Sequence, residues 1–364
     1  MDAAPLSMSE VLRVASVASP WCVSVYSDDD TWLRGNHRNE AAQVQIRLAA
    51  HAMNRAGAPA HVVAAVRAQM EQAASPSRPE AVSFDHRIRS VGIFATPESC
   101  DVFALATLPA PRVHVSNRFV IGPLLDAALA LGPRICVLAA SENAARLVDV
   151  TSYPARLIEV PDLPQDLAST VNLDLTHDRQ TLAHRRISEE PKERLRVYAK
   201  ALLRAVHEPV RHAKAMLAIV AAEPLASLLH AEADPQFAAL APVPGNPDRL
   251  SLEDLANLVT PRADAHRERA RRLQISRLES TDPGLVLADV AQIHAALRNG
   301  AVDTLFVDPD PQRAVDDDRP ESADRADELI REALATDATI VPLRAGDPRS
   351  SRRVAAILRY RVAE

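Results

Sequence analysis

Short, almost continuous apolar runs recur along the chain and alternate with segments of helical spacing. The clearest runs are Arg134–Ala140, Ala215–Ala221 and Ala301–Val307. A run this short and this apolar is typical of a buried strand. Helical patterns follow or separate these runs, which predicts an α/β protein. We expect a mixed sheet with flanking helices in the middle of the chain and an αβα sandwich in its last third.

The length of the chain sets the expected number of domains. With 364 residues, it is too long for one ordinary domain, and two or three are expected. One helical pattern stops at Gly132-Pro133, a typical helix terminus, and the proline-rich stretch 241–248 has the composition of a linker. These boundaries predict an N-terminal α/β domain over 1–131, a middle domain over 132–240 and a C-terminal domain over 246–364.

Charge is distributed unevenly along the sequence. The formal net charge is −6, yet the stretch from Thr176 to Lys214 holds ten basic residues against five acidic ones. It begins as a polar loop and continues from Pro191 as an amphipathic helical pattern. The apolar stripe of that pattern consists of Leu195, Tyr198, Leu202 and Val206. A local basic excess on an acidic protein indicates a site for a polyanion, although an ordinary solvated loop and surface helix explain the same charges.

Several classes of function lack their usual motifs. There is no Walker A or dinucleotide-binding glycine loop, and the chain has nine glycines in all. No Gly-x-Ser-x-Gly motif is present. His207 and His212 are five residues apart on one predicted helix, which is a poor spacing for a shared metal. We therefore expect neither a cofactor nor a metal.

The cysteines and the hydropathy pattern bear on the compartment. Cys22, Cys100 and Cys136 have no metal-like spacing, and two of them lie in strand-like runs. Buried thiols are typical of a reducing cytosol. No apolar run approaches the roughly 20 residues of a membrane helix. The expectation is a cytoplasmic protein that is monomeric when it is alone.

Three stretches together resemble one family. Val113–Phe119, followed by a helix and the run Arg134–Ala140, resembles the passage from the first to the second domain of archaeo-eukaryotic class I release factors and Pelota. Gly300–Val307 is similar to the strand entry of their C-terminal domain, and Val354–Val362 is similar to their C-terminal strand. The bacterial members are release-factor-like families, and one branch comprises ribosome-hibernation factors.

The resemblance implies a role for the basic loop. Class I release factors carry a Gly-Gly-Gln loop before the long helix of the middle domain, and Asp178-Arg179-Gln180 corresponds to it here. Gln180 is retained, whereas Asp178 and Arg179 replace glycines that permit unusual backbone conformations. The residues that would contact RNA are His177, Arg179, Gln180, His184, Arg185, Arg186 and Arg194.

Three functional hypotheses follow from this resemblance. The leading one is a factor that binds rRNA in the ribosomal A site during stress or hibernation, without hydrolysis. The first alternative is a peptidyl-tRNA hydrolase in ribosome rescue, in which Gln180 positions water and His177 or His184 assists. The second is a ribosome-independent interaction protein on the same fold.

The resemblance also has implications for the outer domains. An elongation-type GTPase is the expected partner of the C-terminal domain, through Arg262, Arg267 and Arg271, although an ordinary solvated helix accounts for these arginines equally well. No counterpart of the codon-reading motif stands around Gly57–Val63. The first domain is therefore expected to contact the ribosome through shape and phosphates.

Overall fold

The α/β architecture expected from the sequence is confirmed. The computed structural model describes residues 6–28, 38–74, 89–151, 154–170, 191–234, 240, 243–310, 320–347 and 353–361. By compactness the chain divides into unit 1, which is Met1–Leu131 with Arg269–Glu364, and unit 2, which is Gly132–Glu268. Three sheets lie within these units. The division into three domains stays a prediction.

The N-terminal part of unit 1 is a four-stranded antiparallel sheet in the order β3-β2-β1-β4, with helices on both faces. Its elements are α1 (Met8–Ser16), β1 (Ala18–Ser27), α2 (Arg38–Arg55), α3 (Ala60–Ala73), β2 (Ser90–Ala95), β3 (Cys100–Leu105), β4 (Arg112–Arg118) and α4 (Gly122–Leu131). Because side chains alternate along a strand, Val23 packs towards α2 and α3, whereas Cys22 packs towards α1 and α4.

Unit 2 is built on a five-stranded mixed sheet in the order β7-β6-β5-β8-β9. Its elements are β5 (Ile135–Ala140), β6 (Ala145–Asp149), β7 (Arg156–Ile158), α5 (Pro191–His212), β8 (Met216–Ala221), α6 (Leu225–Glu232), β9 (Val243–Pro244) and the first part of α7 (Leu252–Ser280). Strand β5 pairs antiparallel with β6 and parallel with β8. Helices α5 and α6 cover one face, and α7 covers the other.

The described part of the proline-rich stretch, residues 243–248, begins with a strand, although its composition suggested a linker. Val243 and Pro244 form the edge strand β9, which pairs with Val220 and Ala221 of β8. Proline lacks a backbone donor and is tolerated at a sheet edge. Helix α7 then continues through Pro261, because Val259 and Ala263 on either side of it are buried against the sheet. This burial offsets the roughly 3 kcal/mol that an interior proline costs.

The C-terminal part of unit 1 is the expected αβα sandwich. Its elements are β10 (Val286–Leu287), α8 (Val290–Arg298), β11 (Val302–Val307), α9 (Pro320–Ala335), β12 (Thr339–Pro342) and β13 (Val354–Leu358). The sheet order is β10-β13-β11-β12. Helices α8 and α9 cover one face, and Ile275 and Leu278 from the end of α7 cover the other.

The segment Pro283–Asn299 has helical spacing, which predicts one helix, and this prediction is wrong. A 3-10 turn covers Pro283–Leu285, β10 follows, and α8 begins after Asp289. Two aspartates cause the interruption, since Asp282 accepts a hydrogen bond from the Gly284 N–H at 2.8 Å and Asp289 accepts one from the Gln292 N–H at 3.0 Å. Each aspartate caps the element that follows it. The two caps therefore favour a 3-10 turn and a separate helix over one long helix.

A buried carboxylate joins the two sequence-distant parts of unit 1. Asp327 of α9 accepts hydrogen bonds from the N–H groups of Ile121 at 2.6 Å and Gly122 at 2.9 Å, at the start of α4. Arg331, one turn further along α9, pairs with Asp327 and donates to the Phe119 carbonyl. Burial raises the pKa of Asp327 to about 6, against the opposing effect of Arg331 and the two N–H donors. The N-terminal part and the αβα sandwich therefore share one core.

Candidate functional site

Helix α5 is held on the sheet of unit 2 by an apolar face. The stripe expected from the sequence, Leu195, Tyr198, Leu202 and Val206, is buried, as are Ala199 and Val210. The Tyr198 hydroxyl donates to the carbonyl oxygen of Ser141 at 3.0 Å, at the end of β5. Burial raises the pKa of Tyr198 to about 12, so this donor stays protonated. The opposite face is thereby directed away from the core.

That opposite face carries a row of cations. Lys192, Arg196, Lys200 and Arg204 are four residues apart and all exposed. A spacing of four places them on one side of a helix, and the row is about 18 Å long at 1.5 Å per residue. We call these four residues the α5 basic row. Glu193 and Glu208 are the only acidic residues within the helix, so α5 has a local positive excess.

Part of the α5 basic row is compensated by α6. Arg196 Nε lies 3.2 Å from one Glu232 carboxylate oxygen, and Lys200 Nζ lies 3.6 Å from the other. Lys192 and Arg204 have no ion pair among the described residues. Both pairs involving Glu232 are half-exposed, and such pairs contribute about 0–1 kcal/mol, so a stronger anion can displace them. Sequence spacing does not indicate Glu232, because it lies in the next helix of the fold.

Arg194 is the one predicted RNA-contacting residue within the described ranges. It lies in the first turn of α5 and is half-buried. Its Nε is buried and has no hydrogen-bond partner among the described residues. Buried donors are usually paired. The other six predicted residues, His177, Arg179, Gln180, His184, Arg185 and Arg186, lie outside the described residues.

The three arginines expected to contact a partner differ in their surroundings. Arg262 is exposed and donates to the Leu258 carbonyl at 2.7 Å. Arg267 pairs with Asp264 and lies against Gly132. Arg271 is 11% exposed and binds the Asp347 carboxylate at 2.5 and 3.0 Å.

The three arginines also differ in the unit to which they belong and in their exposure. Arg262 and Arg267 belong to unit 2, whereas Arg271 belongs to unit 1. Because its guanidinium binds within the αβα sandwich, Arg271 has a stabilising role there. Arg262 has the greatest exposure of the three.

Two described cysteines are buried as expected, and Cys100 is half-buried. Burial raises the pKa of Cys136 to about 12, and it also raises the pKa of Cys22. A thiol is nucleophilic as its thiolate, so these two side chains are inert packing residues. None of the helices among the described residues is both long and apolar enough to cross a membrane.

These observations define a class of protein. It is a mixed-sheet α/β protein whose basic helix follows a polar segment of sequence. Residues 133–269 match the family model described as bacterial archaeo-eukaryotic release factor family 11. The match covers the whole of α5 and the polar segment of sequence before it. The resemblance to release-factor-like proteins that the sequence indicated is therefore confirmed.

Two solved structures match about three quarters of the chain at low sequence identity. Archaeal Pelota, in a ribosome-bound model with ABCE1, is 15% identical over 73% of this chain and 73% of its own, with a TM-score of 0.44. Dom34 of S. cerevisiae, a translation termination-like factor that interacts with Hbs1, is 12% identical over 76% of this chain and 80% of its own, with a TM-score of 0.42. A search of curated protein sequences found no match.

Proposed function

We propose that this protein binds the ribosome through rRNA contacts of α5 and the preceding loop, in the A site, without hydrolysing peptidyl-tRNA. The observation that carries the proposal is the α5 basic row, which lies within the segment that matches the release-factor family model. Exposed cations at regular spacing contact successive phosphates of an RNA strand. Arginine adds bidentate geometry to such contacts.

The use of lysine supports this assignment. The chain contains three lysines, Lys192, Lys200 and Lys214, and all of them lie on α5 or just after it. Elsewhere its cations are arginines. A segment that concentrates both types of cation on an exposed face, in a chain of net charge −6, has the composition of a local polyanion site rather than of general nucleic-acid coating.

The residues at the Gly-Gly-Gln position disfavour hydrolysis. Asp178 and Arg179 stand where the related factors carry two glycines. Side chains at both positions disfavour left-handed backbone conformations and close approach to RNA. A carboxylate at Asp178 also repels phosphates. The loop therefore keeps the capacity to bind RNA, while the placement of a hydrolytic water by Gln180 is impaired.

The experiment is co-sedimentation with 70S ribosomes, vacant and loaded with peptidyl-tRNA, at several salt concentrations. A Lys192→Gln/Arg204→Gln variant removes the two cations of the row that have no ion pair among the described residues. We expect weaker binding and a slope of log K against log salt that is less steep by about 1.4–1.8 for two lost phosphate contacts. The matched control is Arg156→Gln/Arg249→Gln, which makes the same charge change at exposed positions of unit 2.

The outcomes distinguish the candidate functions. Unchanged affinity and slope in the α5 variant would refute the proposed contact. Peptide release from the loaded sample that disappears in Gln180→Ala would establish the hydrolase instead. No ribosome binding by the wild-type protein at low salt would leave the interaction protein as the remaining hypothesis.

We propose an elongation-type GTPase as the second partner, by way of the exposed Arg262. The test adds the GTPase with a non-hydrolysable GTP analogue to the co-sedimentation. Arg262→Gln is expected to lower GTPase recruitment while ribosome binding persists. Equal recruitment by the variant and the wild type would remove Arg262 from the interface.

A further inference from the structure

Three metal-ligating side chains converge between α8 and α9 of the αβα sandwich. They are His294 on α8 and Glu328 and Glu332 on α9, and their ligand atoms all lie within 4.8 Å of one another. Glu328 and Glu332 are four residues apart, so both carboxylates lie on one face of α9. Sequence spacing does not indicate the cluster, because the histidine comes from a different helix.

The distances from the imidazole suit a tetrahedral metal ion. His294 Nε2 lies 3.2 Å from an oxygen of Glu332 and 3.4 Å from an oxygen of Glu328. Ligands bound at about 2.0–2.1 Å in a tetrahedral site are separated from each other by about 3.3–3.4 Å. The two imidazole–carboxylate edges of such a site are therefore already formed, and the third edge, between the two carboxylates, is no longer than 4.8 Å.

One carboxylate oxygen of the cluster lacks a partner. Glu332 Oε2 is buried and accepts no hydrogen bond among the described residues. Burial raises the pKa of Glu332, and the nearby Glu328 carboxylate raises it further, while His294 and Arg298 oppose the shift. A carboxylate that is desolvated beside a second carboxylate is costly unless a cation compensates it. A divalent ion at the cluster would compensate both carboxylates.

We propose that His294, Glu328 and Glu332 bind a Zn²⁺-class divalent ion, with one coordination position left to solvent. One imidazole and two carboxylates form a mixed nitrogen–oxygen ligand set, which suits borderline metals such as Zn²⁺ better than Mg²⁺. Two carboxylates and a neutral imidazole carry a formal charge of −2, which a divalent ion neutralises. The bound ion would connect α8 to α9 and stabilise the sandwich.

The test is calorimetric titration of the metal-free, full-length protein with ZnCl2, and with MgCl2 as the comparison. We expect one equivalent of Zn²⁺ to bind and Mg²⁺ to bind more weakly. His294→Ala and Glu328→Gln should each weaken Zn²⁺ binding by about tenfold or more. Glu328 is largely exposed, so its glutamine variant is expected to fold. The control, His230→Ala, removes an exposed histidine from α6.

Thermal unfolding gives a second readout. A ligand that binds only the native state raises the melting temperature, and the rise increases with the ratio of ligand concentration to Kd. Zn²⁺ should therefore raise the melting temperature of the wild type and of His230→Ala but not that of Glu328→Gln. If Zn²⁺ does not bind the wild type, the proposal is overturned. It is also overturned if Zn²⁺ binds all four proteins equally.

Discussion

The carboxylate of Asp327 should make unit 1 less stable as the pH rises from acid to neutral. Most native carboxylates do the opposite, because an ion pair or hydrogen bond lowers their pKa. Asp327 is fully buried, and its pKa is raised from 3.8 to about 6. The perturbation that isolates this group is Asp327→Asn, which keeps an oxygen acceptor at the start of α4 but cannot titrate.

The sign and size follow from linkage between protonation and folding. A folded-state pKa above the unfolded value means that the native state holds the proton between about pH 4 and 6, while the unfolded chain has lost it. The stability from Asp327 is therefore fully present below the unfolded pKa and is lost as the pH rises through the folded one. The total loss is about 3 kcal/mol at 1.36 kcal/mol per pKa unit, of which about 2 kcal/mol falls between pH 4.5 and 7.5.

The assay is urea unfolding of wild type and Asp327→Asn at several pH values, followed by tryptophan fluorescence. Trp21 lies in β1 of unit 1, so its fluorescence reports the relevant unit, and Trp32 lies outside the described residues. The free energy of unfolding of the wild type, relative to the variant, should fall by about 2 kcal/mol from pH 4.5 to 7.5. A difference that stays constant, or that grows with pH, would refute the argument and show that Arg331 and the two N–H donors outweigh burial.

Three further substitutions test the packing. Gly122→Ala should destabilise unit 1 by about 1–3 kcal/mol, because the new Cβ would collide with the Pro309 carbonyl oxygen. The control in urea unfolding is Gly245→Ala, whose new Cβ meets nothing within 4 Å. Equal losses of stability in the two variants would contradict the packing. Tyr198→Phe should cost about 1 kcal/mol through the lost hydrogen bond, measured as faster amide hydrogen exchange in α5, and unchanged exchange would show that the bond is unimportant. Leu202→Ala should cost about 2–5 kcal/mol through the cavity it leaves, and a smaller loss in the same measurement would indicate that α5 repacks.

Much of the secondary structure follows from local pattern. The runs at 134–140, 215–221 and 301–307 correspond to β5, β8 and β11, because a buried strand is read from its own residues. The amphipathic stripe of α5 is buried as predicted, since a 3.6-residue period places it on one face. The capping pair at the start of α7 also has a local signal, with the Ser251 and Asp254 side chains each accepting the other's N–H.

The interruption within Pro283–Asn299 has a local cause in its aspartate caps, whereas two other departures have physical causes outside the local pattern. Edge pairing with β8 makes a strand of Val243-Pro244, although its composition is that of a linker. Helix α7 runs through Pro261, because burial of α7 against the sheet overrides the usual helix-breaking effect of proline. Such outcomes depend on a neighbouring element, and no window of sequence contains that neighbour.

The sequence by itself determined the α/β class, most strands and helices, the mixed middle sheet and the basic segment with its family resemblance. These properties depend on period, composition and short motifs. The tertiary structure alone decided which charges remain exposed on α5, that Arg271 is held by Asp347, that Asp327 caps α4, and that His294 meets Glu328 and Glu332. Each of these contacts joins residues from different elements, so its geometry and its dielectric surroundings exist only once the helices and sheets have packed.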